Sequence, residues 1–206
     1  MKILQIDSSV LGGHSASRSL TAKVVADLRA RHPEASLTVR DLDQDAPAHL
    51  SGHLLPVLGG PKDGLNAVQE SELQRTETFL KEFLEADVLV VGVPQYNFSI
   101  PSQLKSWIDR IAQAGRTFKY TESGPVGLAG GKRVIVVSSR GGVRQDASAL
   151  DLHEQTVDVV FRFLGITDIT YVRAHGLAFG PEAREASLAA ARTDVAALND
   201  GAALAA

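Results

Sequence analysis

The sequence predicts an α/β sandwich built on a doubly wound parallel sheet of five strands, in the order 2-1-3-4-5, with helices on both faces. Three observations lead there. Residues 88–93 (VLVVGV) and 133–138 (RVIVVS) are apolar almost without alternation, the pattern of parallel strands covered on both faces. Residues 37–42 (LTVRDL) and 169–173 (ITYVR) mix polar and apolar positions, as half-covered edge strands do. Between the strand segments, apolar residues recur at helical spacing.

In chain order, residues 2–7 (KILQID) read as the first strand, and Leu20, Val24 and Leu28 mark a first helix that His32-Pro33 ends. The edge strand 37–42 follows. The connection 43–64 is unusually long and carries Leu50, Leu54, Leu55, Val57 and Leu58 among prolines and glycines, so it is expected to cover a ligand or another subunit. Leu73, Thr76, Leu80 and Phe83 place a second helix before the central strand 88–93, and a further helix begins near Ser102. Strand 133–138 and edge strand 169–173 complete the sheet. The alanine-rich tail after Asn199 is expected to fray.

A chain of 206 residues, 44% hydrophobic, can bury one substantial core, so residues 1–206 are expected to form a single domain. The absence of cysteine excludes disulfides, thiolate metal sites and a cysteine nucleophile, and suits a reducing, cytoplasmic setting. The start, MKILQIDSS, is too short in apolar residues for a secretion signal, and no segment reaches membrane-spanning length. A net charge of -3 leaves no global basic field for nucleic acid. Neither membrane nor nucleic acid is an expected partner.

In a doubly wound sheet, ligands bind beyond the carboxyl ends of the strands. Three segments follow such ends. In residues 8–18 (SSVLGGHSASR), the hydroxyls of Ser9, Ser15 and Ser17 converge on the start of a helix, where unpaired N-H groups and the positive dipole end can hold a phosphate. An N-cap serine and two turning glycines would account for the same residues. The loop has neither G-x-x-x-x-G-K-[ST] nor G-x-G-x-x-G, so a terminal monophosphate fits it better than ATP or a tightly bound dinucleotide.

The second segment, residues 94–101 (PQYNFSIP), brackets two aromatics between prolines. Rigid backbone polar groups beside apolar faces suit a flat heteroaromatic ring with polar edges, although aromatics filling the local core give the same pattern. The third, residues 139–144 (SRGGVR), offers paired glycines for close backbone approach and Arg140 for charge beside a reduced, anionic ring; a plain strand-to-helix turn also explains the glycines.

The serine-rich first loop, P-Q-Y-N-F-S-I-P and S-R-G-G, in that order and spacing, resemble the FMN-dependent NADH:quinone reductases also called azoreductases, of flavodoxin-like fold. The resemblance extends over nearly the whole chain and includes Trp107-Ile108-Asp109, Thr117-Phe118-Lys119-Tyr120, Gly124-Pro125-Val126-Gly127-Leu128 and Leu164-Gly165-Ile166-Thr167-Asp168. It implies one FMN per subunit, with the phosphate held by Ser9 and by Ser15, Ala16 and Ser17. The isoalloxazine ring is then held by Gln95, Tyr96, Asn97 and Phe98 and by Ser139, Arg140, Gly141 and Gly142.

It also implies a homodimer with both sites at the subunit interface, which gives the apolar segment around Leu50 a purpose and makes Phe118 and Tyr120 pocket walls. NADH is the implied donor, and quinones and aromatic azo compounds the acceptors, in two-electron ping-pong turnover that protects against electrophilic quinones. No side chain is expected to act as catalytic acid or base, because N5 of the flavin carries the hydride. This chain departs from the family at Gln95, where methionine is common, and at Arg162, where a glycine often stands near the substrate pocket.

Two other readings compete. A flavodoxin-type electron shuttle shares the fold but tends to be strongly acidic, whereas this chain is near neutral with pI about 6.1. A flavin-free hydrolase finds no G-x-S-x-G elbow around Ser15 or Ser139. His49 and His53 lack an H-E-x-x-H context, so no metal site is expected, and they read as surface or interface residues.

Overall fold

The computed structural model describes residues 1–60, 62–143 and 152–198, so the tail after Asn199 and Arg144 of the third loop lie outside the described residues. Along the chain come β1 (Lys2–Asp7), a 3-10 turn (Gly12–His14), α1 (Ala16–Arg31), β2 (Ser36–Asp41), α2 (Leu55–Gly59), α3 (Ala67–Glu85) and β3 (Val88–Pro94). Then follow α4 (Ser102–Ile111), β4 (Phe118–Thr121), β5 (Gly124–Gly127), β6 (Arg133–Ser139), α5 (Leu152–Phe163), β7 (Asp168–Ala174) and α6 (Pro181–Ala197).

The main sheet is parallel and runs β2-β1-β3-β6-β7, a flavodoxin-like arrangement with β2 and β7 at its edges. The expected numbering 2-1-3-4-5 needs one amendment. Between β3 and β6 the chain makes an antiparallel hairpin, β4–β5, which forms a two-stranded sheet of its own. Its strands are four residues each and mostly exposed, too short for a period in the sequence to mark them. Strands β3 and β6 each run one residue further than expected, because Pro94 pairs with Ser139 at their carboxyl ends. That pairing sets the second and third loops side by side.

The two-residue period of a strand divides the sheet's side chains between two cores. Leu89, Val91, Val134 and Val136 pack with Phe79, Phe83, Trp107 and Phe161 of α3, α4 and α5. Val88, Val90, Ile135 and Val137 pack with Leu20, Val24, Leu188 and Val195 of α1 and α6. Trp107 is fully buried and meets Phe83 edge to face at 6.0 Å. Helix α1 starts where the Ser15 side chain accepts from the Arg18 N-H, and α3 starts with a capping box between Asn66 and Gln69.

The long connection contains α2 and is tied down from below. Leu54 and Val57 are buried, α2 packs on α3, and the buried Arg110 of α4 donates to the Ala48 carbonyl at 2.7 Å. Leu50 and Leu55 remain exposed. No helix among the described residues is long and apolar enough to cross a membrane.

Candidate functional site

The carboxyl ends of β1, β3 and β6 open into a cleft of about 500 Å³. All three loops singled out in the sequence reach it: Ser9, Ser15 and Ala16 from the first, Gln95 and Tyr96 from the second, Ser139, Arg140 and Gly141 from the third. Hydrogen bonds lock the loops to one another. Ser9 Oγ lies 2.9 Å from the Tyr96 hydroxyl, and the Gln95 N-H donates to the Ser139 carbonyl at 2.8 Å.

The first loop is shaped by Arg18, whose role the sequence did not disclose. Its Nε and Nη2 donate to the Ser9 carbonyl at 3.1 and 2.7 Å, while Nη1 reaches Asp41 at 2.6 Å. The hydrogen bond from Arg18 holds the Asp41 carboxyl below its ordinary range. Arg18 therefore anchors the loop backbone to β2. Ser15 Oγ caps α1 and lies 3.1 Å from Ser17 Oγ; Ser17 itself is buried behind it and does not line the cleft.

In the second loop, Tyr96 and Ser99 exchange both backbone hydrogen bonds at 3.0 Å across a two-residue turn. Asn97 and Phe98 at its tip have φ of 48° and 69°, left-handed values that cost energy for any residue but glycine. Phe98 is exposed, and both residues sit beside the cleft mouth and not in its lining. The third loop is bound to the β7–α6 connection, since the Ala178 N-H donates to the Gly141 carbonyl at 3.1 Å. A Cβ on Gly141 would lie 3.2 Å from that of Ala178, so tight packing between protein segments already requires a small residue there. Gly142 flanks the lining and accepts from the Gly176 N-H at 2.7 Å.

The other expected site residues lie away from this cleft. Leu50 borders a separate depression near α4, with His49 and Ser106. Phe118 and Tyr120 stack edge to face on the β4–β5 hairpin, with Phe118 4.7 Å from Phe163. Arg162 is exposed and paired with Asp158 at 2.8 Å, so within one chain it lines no part of the cleft. His49 and His53 face different partners, Ser106 at 3.0 Å and Asn66 at 3.4 Å. Among the described residues no cluster could hold a metal ion.

Six lining residues were missed: Pro94 at the start of the second loop, and Leu11, His14, Leu177, Ala178 and Arg184. Leu11 and His14 belong to the first loop but carry no distinguishing pattern. The last three come from the β7–α6 side, where only the folded sheet brings them near.

Behind the cleft wall runs a buried polar network. The buried His153 lies 3.0 Å from Ser138 Oγ through Nε2 and 3.2 Å from Gln95 Nε2 through Nδ1. Next to it in α5, Glu154 faces Arg173 at 2.9 Å and His175 at 3.7 Å. Burial pushes the Glu154 carboxyl up, but the neighbouring His175, the hydrogen-bonded Arg173 guanidinium and the Ser138 hydroxyl outweigh it and hold the group well below the usual carboxylate range.

A depressed folded pKa means stability that is present above the unfolded value and lost as pH falls through the folded one. The native protein is therefore expected to be more stable than Glu154→Gln at pH 7. The gap should narrow once pH drops below about 4.5, the ordinary value for this carboxyl. Urea denaturation of both proteins across a pH series checks this, and a gap independent of pH would show that the charge contributes nothing. Asp7, which burial pushes up, has the opposite sign but is common to both proteins and cancels.

Chemically, the lining offers serine hydroxyls at a helix N-terminus, two arginines and no carboxylate among the described residues, with the apolar Leu11 and Leu177 and the Tyr96 ring beside them. That donor set is chemically suited to an anion at the α1 end and to a flat, partly polar ring along the second and third loops. The sequence matches the family described as flavodoxin-like fold over residues 1–198. It is 86% identical over 206 residues, the full length of both chains, to the FMN-dependent NADH:quinone oxidoreductase 1 of Cupriavidus pinatubonensis, and 82% identical, again over both full lengths, to that of Cupriavidus necator. Among solved structures, an FMN-dependent NADH-azoreductase from Bacillus anthracis in complex with FMN aligns with TM-score 0.83 at 26% identity, covering 96% of this chain and 99% of that one.

Proposed function

The chain belongs to the flavodoxin-like-fold family, alongside the FMN-dependent NADH:quinone oxidoreductases, and from that premise we propose that residues 1–206 act as one FMN domain that reduces quinones with NADH and cleaves aromatic azo compounds to amines. The observation that carries this reading is the convergence of the three loops on a cleft at the N-terminus of α1 whose described lining holds no carboxylate.

In this reading Ser9, Ser15 and the first N-H groups of α1, with Ala16 and the supporting Ser17, hold the FMN phosphate. Backbone groups of Gln95 to Phe98 and of Ser139 to Gly142 flank the ring. Bound FMN supplies two-electron redox chemistry by accepting and donating hydride. Arg140, which lines the cleft beside the third loop, would favour negative charge on a bound, reduced flavin, and backbone N-H groups nearby would act in the same sense. Tyr96 and Phe98 offer flat apolar surface to donor and acceptor in turn, which predicts ping-pong kinetics.

A homodimer with the cleft at its interface belongs to the same proposal. Exposed apolar residues support it: Leu50 and Leu55 on the long connection, Phe98 at the turn tip, Tyr120 on the hairpin, Val159 on α5. In a dimer, Leu50, Phe118, Tyr120 and Arg162 would wall the partner's site. Sedimentation at twice the chain mass of 21.9 kDa checks it. A cytoplasmic location agrees with a chain lacking cysteine, and fractionation tests it.

The deciding experiment is anaerobic absorbance titration of the FMN-reconstituted protein with NADH, followed by benzoquinone. The flavin bands are expected to bleach in one two-electron step and to return on quinone addition. Flavin left oxidised by NADH would instead support a one-electron shuttle, and failure to bind FMN would sink the reading altogether.

A further inference from the structure

Arg184 lies in the first turn of α6, 170 residues from the first loop, yet it lines the same cleft. Its Nη2 donates to the His14 carbonyl at 3.0 Å. His14 immediately precedes Ser15, the N-cap of α1, so this bond holds the guanidinium beside the helix end that offers its N-H groups to the cleft.

A guanidinium carries five N-H donors, and the carbonyl accepts from only one of the terminal nitrogens. Most arginines of this chain face a carboxylate, Arg18, Arg40, Arg75, Arg110 and Arg173 among them. Arg184 has no carboxylate at ion-pair distance among the described residues, and its neighbour Glu185 is taken by Arg192. Among the described residues, the α1 end of the cleft otherwise offers serine hydroxyls, backbone N-H groups and a helix dipole. A dianionic monophosphate there would lack a full countercharge.

We infer that Arg184 is a phosphate-binding residue: when FMN enters, its guanidinium contacts the terminal monophosphate and ties α6 to the first loop across the ligand. The inference rests on the FMN reading above and adds to it a charged contact from a segment outside the three loops. Charge-assisted bonds from a planar, pre-organised fork are stronger than those from hydroxyls, and they weaken with salt where they are partly exposed.

The test is fluorescence titration of the flavin-stripped protein with FMN and with riboflavin, which lacks the phosphate, at low and high ionic strength. Arg184→Ala is expected to weaken FMN binding by roughly tenfold to a hundredfold, as loss of a hydrogen bond to a charged group does. Riboflavin affinity should not change, and the salt dependence of FMN binding should diminish. Arg184→Lys should recover part of the loss because it keeps the charge, whereas Arg184→Gln should not. A variant that loses FMN and riboflavin affinity equally would show that Arg184 only shapes the cleft, and a variant that loses neither would show that it does not meet the phosphate; either result overturns the inference. If the unmodified protein binds riboflavin as well as FMN, the inference falls while the flavin reading stands. If it binds neither, both fall.

Discussion

Replacing Glu72 by alanine is expected to cost about 3–5 kcal/mol of stability, the penalty for leaving a buried charge without its partner. Arg110 is the reason. Its side chain is 0% exposed, and Glu72, at 2.8 Å, is its ion-pair partner. Its remaining bonds go to the Ala48 carbonyl at 2.7 Å and Thr76 Oγ at 3.3 Å, both neutral. Burial already pulls the Arg110 guanidinium below its ordinary pKa, which marks how poorly this site solvates the charge.

For a chain of this size the loss corresponds to a fall in thermal midpoint of roughly 6–20 °C, measurable by calorimetry. The double variant Glu72→Leu with Arg110→Met should recover much of it, because removing both charges leaves neither unpaired. A single-variant loss below about 1 kcal/mol would mean that water reaches Arg110, contrary to the burial seen here. The same pair bonds Ala48 from both sides, since the Ala48 N-H donates to Glu72 at 3.3 Å. Losing it should also loosen the segment carrying Leu50 and raise KM for the acceptor if that segment walls a dimer-interface pocket.

Gly127→Ala should be comparably damaging, about 3 kcal/mol, at the upper end for added volume in a packed site. A Cβ on Gly127 would lie 2.1 Å from the Gly165 nitrogen and 2.2 Å from the Leu164 carbonyl carbon. Both are backbone atoms, so no side-chain rotation relieves the clash. Gly165 cannot easily move either, because its φ of 93° suits glycine alone. The hairpin must lift from the α5–β7 turn, separating Phe118 from Phe163 and displacing Tyr120. Thermal denaturation should show the loss, and if Phe118 and Tyr120 wall the partner's site in the proposed dimer, steady-state kinetics should show KM for quinone and for NADH rising together. Gly59→Ala is the control: its Cβ meets nothing within 4 Å and it sits in a helix, so stability should hold or rise slightly. Equal midpoints for Gly127→Ala and this control would refute the packing argument.

These two positions show where reading the chain as a line reaches its limit. Glu72 looks like one charge among many on a polar helix face, and Gly127 like one of several glycines in a loop. Nothing local distinguishes Glu72 from Glu70, which faces outward, or Gly127 from Gly124, whose Cβ would meet open space. Their importance comes from Arg110 and Gly165, both 38 residues further along the chain.

The sequence by itself determined the five sheet strands, because burial on one or both faces writes a period into the residues of each strand. It also determined the three loops that line the cleft, since in a doubly wound sheet the carboxyl ends of the strands are the ligand end whatever fills the rest. Tertiary structure alone decided that Arg18 holds a loop and not a ligand, that Ser17 stands behind Ser15, that Phe118 and Tyr120 ride on a separate hairpin, and that Leu177, Ala178 and Arg184 complete the cleft. The physical reason is the same in each case. Periodicity and turn chemistry act over a few residues and are legible locally, whereas His14 meets Arg184 only because the order of strands in the closed sheet carries the last helix back beside the first.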